Sequence, residues 1–147
     1  MSIATQSEYN KDFYAWALHN AELVREKRFN EIDIDNIAEE IESMGRSDKR
    51  ELISRLAILI AHLLKWELQP QRRGNSWKYT IKEQRIRLID LLDESPSLKH
   101  ELEVKFDHAY TQSVVIAAKE TELDESSFPK QCHFTLDQCL DHQFFPE

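Results

Sequence analysis

The chain has 147 residues, of which 41% are hydrophobic and 31% charged, and a net charge of -8. That is one domain's length with a globular balance, enough to bury roughly 70% of the unfolded surface. Two glycines, four prolines and two cysteines exclude a Gly-rich phosphate loop, argue against a turn-rich β fold and supply no disulfide framework.

The first predicted helix runs from about Tyr9 to Arg28. Phe13, Trp16, Ala17, Asn20, Ala21 and Val24 share one arc of a 3.6-residue wheel. Asn20 sits inside that stripe, so it requires a partner within the fold. The second helix starts near Asp33, with Ile34, Ile37, Ala38, Ile41 and Met44 in a narrow apolar stripe. Glu31, Asp33 and Asp35 suit the positive end of its dipole. Gly45 stands where a left-handed C-terminal cap would end it.

Ser47 is the expected N-cap of a third helix, from about Asp48 to Leu68. Leu52, Leu56, Leu59, Leu63 and Trp66 alternate spacings of four and three, and Ile53, Ile60 and Leu64 widen the stripe. This most apolar segment is expected at the centre of a bundle. Pro70 stops it, and QPQRRGN, residues 69–75, reads as a loop. A fourth helix follows from about Ser76 to Asp93. Ser95 and Pro96 then open a fifth that reaches Thr121. After a polar loop to Pro129, Thr135 and Gln138 form a capping box for a short last helix ending near Asp141. Phe134, Leu136, Phe144 and Phe145 should fold back onto the bundle.

The expectation is therefore all-α: a single domain over residues 1–147, with four to five main helices plus a short C-terminal one. The longest apolar run, Leu56 to Ala61, is far below the ~20 residues that span a bilayer. The opening MSIATQSEYNKDFY carries no apolar signal segment. No membrane role and a cytoplasmic location are expected.

Charge is unevenly distributed. Residues 1–45 carry net -6, residues 46–87 net +7 and residues 88–147 net -9. The basic block sets Arg72, Arg73, Lys78, Lys82, Arg85 and Arg87 among Trp66, Trp77 and Tyr79, which is chemistry for phosphates and stacked bases. Its alternative is internal neutralisation by the acidic flanks. Arg85 falls inside the apolar arc of the fourth helix, so it needs a carboxylate, with Glu40 and Glu42 the expected partners, or it lines an anion pocket.

Six histidines are present, none in an HExxH or Glu-x-x-His pattern. Glu39, Glu40, Glu42 and His62 could in principle hold a divalent metal. Cys132, His133, Cys139 and His142 could hold zinc, but the spacing fits no known module, and small apolar cysteines are the simpler reading. No cofactor is called for.

The segments EEIESMGRSDKRE, HLLKW, the RR…SW stretch, ESPSLKHELE and the closing FPE resemble the bacterial family called domain of unknown function 29, abundant in cyanobacteria. The resemblance covers about residues 9–147. It implies an all-helical cytoplasmic protein and carries over no activity and no catalytic residue. The motif positions that coincide with the physical reading are Glu39, Glu40, Glu42, Gly45, Arg46, His62, Lys65, Trp66, Arg72, Arg73, Trp77 and Arg85. The candidate binding surface or pocket is drawn from them: Glu40, Glu42, Arg46, His62, Lys65, Trp66, Arg72, Arg73, Trp77 and Arg85.

The first functional reading is a non-catalytic protein-interaction or regulatory module with an unidentified protein partner, which leans away from enzyme activity. The alternatives are a nucleic-acid-associated protein using residues 65–87 and a metal-dependent enzyme. The sequence does not specify an oligomeric state, and base rates alone speak for a homodimer.

Overall fold

Helical periodicity dominates the sequence, and the computed structural model, which describes residues 8–147, is helical throughout with no strand among the described residues. The α-helices are α1 (Phe13–Arg25), α2 (Ile34–Leu68), α3 (Asn75–Glu94), α4 (Leu98–Val104), α5 (Phe106–Thr121) and α6 (Leu136–Leu140). Short 3-10 turns lie at Pro70–Arg72 and Glu125–Ser127. The chain divides into two compact units, one ending at Ser47 and one running from Asp48 to Glu147.

In the first unit, residues 8–11 are already helical, but the chain breaks at Asp12. The Asp12 side chain accepts from the Ala15 amide at 3.1 Å, so α1 starts at a carboxylate cap. Its other end closes without glycine. Lys27 adopts φ 61°, and the Lys27 and Arg28 amides donate to the carbonyls of Val24 and Leu23, the bonding of a Schellman motif. The predicted end at Arg28 was therefore three residues late.

The second correction is larger. The stripes read as two helices, divided at Gly45 and Ser47, lie on one continuous 35-residue α2. Gly45 is helical, with no positive φ. Arg46 reaches back across it to Glu39 at 2.6 Å and Glu42 at 3.6 Å. A glycine in a helix interior costs about 1 kcal/mol. Ending the helix there would leave a turn's worth of carbonyls to be capped anew, and neither Pro nor a left-handed residue follows to do it.

The second unit holds the large core. Leu52, Leu56, Leu59, Ile60, Leu63 and Leu64 of α2 are fully buried with Ile81 and Leu88 of α3 and Leu102 of α4. Ala109, Tyr110 and Ala117 of α5 and Phe128, Phe134 and Cys139 complete it. Leu136, Phe144 and Phe145 pack against this core, as the aromatic C-terminal pattern predicts. The capping box at Thr135 and Gln138 is present in both directions, at 2.9 and 3.0 Å.

The fifth predicted helix is two. Ser95 ends α3 by donating its amide to Leu91, and Lys105, at φ -96° and ψ 9°, separates α4 from α5. The break leaves Leu102 on one side and Ala109, Ser113 and Ala117 on the other all buried. Tertiary packing selects it, since neither Gly nor Pro marks the site. Among the described residues no helix is long and apolar enough to cross a membrane.

Candidate functional site

Two regions concentrate the side chains that sequence singles out. In the second unit, the basic-aromatic segment spends most of its chemistry internally. Arg85 is 1% exposed. Its Nε donates to the Cys139 carbonyl at 2.7 Å, and its guanidinium donates to the carbonyls of Phe144 at 2.7 Å and Gln138 at 3.4 Å. It also stacks 5.3 Å from the Phe145 ring. Burial holds its pKa below the usual guanidinium value, with the nearby Asp141 charge opposing.

The expected Arg85 partnership with Glu40 or Glu42 is not found. Tyr9 donates to Glu40, and Glu42 faces Arg46. Main-chain carbonyls replace the carboxylate because the guanidinium fork has donors enough for several acceptors.

Arg73 repeats the pattern. Its Nε donates to the Trp66 carbonyl at 2.7 Å and a terminal nitrogen to the Pro146 carbonyl at 3.4 Å. The guanidinium lies 5.1 Å from the Trp66 ring, which meets Phe145 at 5.0 Å. Arg73, Arg85 and Trp66 therefore clamp the C-terminal residues against α2 and α3. Sequence reasoning missed this because carbonyl acceptors leave no residue-type signature.

Lys65 is buried on α2. Its ammonium donates to Glu120 at 2.5 Å and sits 4.7 Å from the Trp77 ring. His62, one turn away, donates from Nδ1 to the Ile58 carbonyl at 2.9 Å. Burial, aided by the Lys65 charge, lowers its pKa against the opposing carbonyl bond. Arg72, Lys78, Lys82, Tyr79 and Arg87 remain exposed, with Arg87 paired to Glu83 at 3.5 Å.

Among the described residues, no group of three or more His, Cys, Asp or Glu side chains is placed to hold a metal ion. Cys139 is buried and its thiol pushed up to about 12, chiefly by burial. The Cys132 thiol is raised by burial as well. His133 engages Glu67 at 2.9 Å, and His142 is exposed. The glutamates considered with His62 are engaged with Arg46 and Tyr9.

The first unit is built differently. A buried polar knot joins α1 to the start of α2. Trp16 Nε1 and Asn36 Nδ2 donate to one oxygen of Asp33, at 3.0 and 2.8 Å. Asn20 accepts from the Asp33 amide at 2.8 Å and donates to the Trp16 carbonyl at 3.0 Å. Asn20 thus finds the partner its place in the stripe demands. Trp16 also meets Tyr9 and Phe13 edge-on or tilted, at 4.7 and 5.4 Å.

Beside this knot lies a groove of about 350 Å³ lined mainly by Ala17, Ala21 and Val24 of α1 and Ile37 and Ile41 of α2, with Arg25 and Glu40 also on its lining. The apolar stripe read from Ile34 to Met44 is bare over much of its length, and so is Val24 of α1. Ile34 is 59% exposed, Ile41 60%, Met44 62% and Val24 42%. Arg25 has no ionic partner among the described residues.

A helical protein with an open apolar groove on one unit and a closed core in the other defines the class. The chain belongs to the family described as Domain of unknown function DUF29, whose model matches residues 8–145. No curated protein and no solved structure matches the chain.

Proposed function

We propose that this chain is a non-catalytic protein-interaction module whose working surface is the apolar groove of the first unit. One observation carries the reading: Ile34, Ile41 and Met44, spaced as a helical stripe, stand about 60% exposed. Contiguous apolar surface of this kind marks an interaction site more often than scattered exposed residues do. The groove adds concavity and a charged rim, which favour selective contacts.

The test is capture from a lysate of the native host by immobilised protein, wild type beside Ile41→Glu, with nuclease added to both. Protein retained by wild type and lost by the variant supports the reading. Equal retention by both, or clean substrate turnover lost with a point variant, defeats it.

A second reading rests on the exposed cations Arg72, Lys78 and Lys82 beside Tyr79. Here nucleic acid would bind through phosphate contacts, with affinity falling steeply as salt rises. Arg72→Ala with Lys78→Ala is the appropriate variant, because Arg73 holds the C-terminal segment. Salt-independent or absent binding of an oligonucleotide removes this reading.

A further inference from the structure

We infer that the occupant of the first unit's groove is a second copy of this chain, joined by a two-fold contact that completes a four-helix bundle. The inference rests on the interaction reading and names its partner.

Spacing comes first. Ile34, Ile37, Ile41 and Met44 step by three, four and three, the a/d alternation of a helix that faces another helix along a seam. Among its described residues the first unit buries only two large apolar side chains, Trp16 and Leu23, too few for the 40 residues 8–47 to hold their own core. Two such hairpins face to face cover both stripes, the smallest arrangement in which each apolar helix face meets another. Ala17 and Ala21 keep the groove floor low, so a partner helix can approach closely.

Charge then selects the occupant. Arg25 and Glu40 line the same groove. In a two-fold contact, residue i of one copy meets residue j of the other and the reverse. The two-fold arrangement that sets one copy's Arg25 against its partner's Glu40 makes that opposite-charge contact twice per dimer. An unrelated partner would need its own acid and base at matching places, whereas a second copy carries both already.

The experiment is sedimentation equilibrium on the full chain, with helicity followed by circular dichroism. Wild type is expected as a dimer. Ile41→Glu should weaken association about thirtyfold or more with helicity retained. Arg25→Glu and Glu40→Arg should each be monomeric alone, from like charges across both contacts, and should associate when mixed, because mixing restores opposite charges at both. That rescue is beyond a merely misfolded variant.

A wild type that stays monomeric at tens of micromolar overturns the inference, as does a dimer indifferent to Ile41→Glu or single-charge variants that fail to associate on mixing. If wild type is monomeric while Ile41→Glu still loses a captured lysate protein, the second copy is refuted and the interaction reading stands. If neither association nor capture responds to Ile41→Glu, both fall.

Discussion

The two units treat apolar stripes in opposite ways. In the second, the α2 stripe from Leu52 to Leu64 meets α3, α4, α5 and the C-terminal aromatics, and six of its leucines and isoleucines are fully buried. In the first, the same helix carries an equally regular stripe, yet Ile34, Ile41 and Met44 lie open. A stripe is therefore half of a contact; whether it becomes core depends on what the rest of the chain brings to it. The polar content follows suit. The second unit locks down its C-terminal segment with two arginines aimed at carbonyls. The first ties α1 to α2 through Asp33, Asn20 and Trp16.

The strongest way to break this comparison is to mutate one residue in each core type. Leu59→Ala should cost about 3 kcal/mol by cavity formation, and Arg85→Gln a similar amount by leaving buried carbonyls without donors. Ile41→Ala, on an exposed face, should change the stability of the isolated chain by only about 0.5 kcal/mol. Urea unfolding of the three variants checks the ranking. Equal losses at Leu59 and Ile41 would erase the distinction between the units.

Hydrogen exchange sharpens the same comparison along one helix. Amides of residues 55–66 should be protected close to the global limit, and those of residues 36–46 should exchange substantially faster, because few buried contacts oppose local opening there. Uniform protection along α2 would contradict this expectation in dilute, monomeric protein.

A smaller effect comes from pH. His62 is held neutral by burial, with its pKa below the ordinary 6.5. The unfolded chain then binds the proton more readily than the folded one. Stability from this group is whole above about pH 6.5 and is lost as pH falls below that value. His62→Gln should flatten that part of the stability-pH curve, measured by thermal melts between pH 5 and 8, and an unchanged slope would remove His62 as its source.

The smallest predicted change is Gly45→Ala. A Cβ built at Gly45 meets nothing within 4 Å, and the residue is helical. The substitution should stabilise by about 0.5–1 kcal/mol and raise Tm by a few degrees. A loss of stability would mean that Gly45 bends or approaches another surface during function.

Much of the fold was legible from spacing alone. The leucine ladder from Leu52 to Leu63, the C-terminal capping box and the need of Asn20 for a partner all depend on local periodicity and hydrogen-bond chemistry, and all appear in the structure. The joints were less legible. Gly45 is permissive as well as terminating, so it cannot by itself say whether a helix ends. Lys27 and Lys105 turn the chain with no Gly or Pro to announce it.

The candidate site divides along the same line. The charge and aromatic clustering of Lys65, Trp66, Arg73, Trp77 and Arg85 stands in the sequence, but their partners are Glu120, distant in the chain, and carbonyl oxygens that any residue supplies. The apolar stripe from Ile34 to Met44 was written in the sequence as well. Its exposure was decided only by tertiary structure, because burial is a property of the surfaces that meet, and one helix face cannot specify whether its partner lies in the same chain.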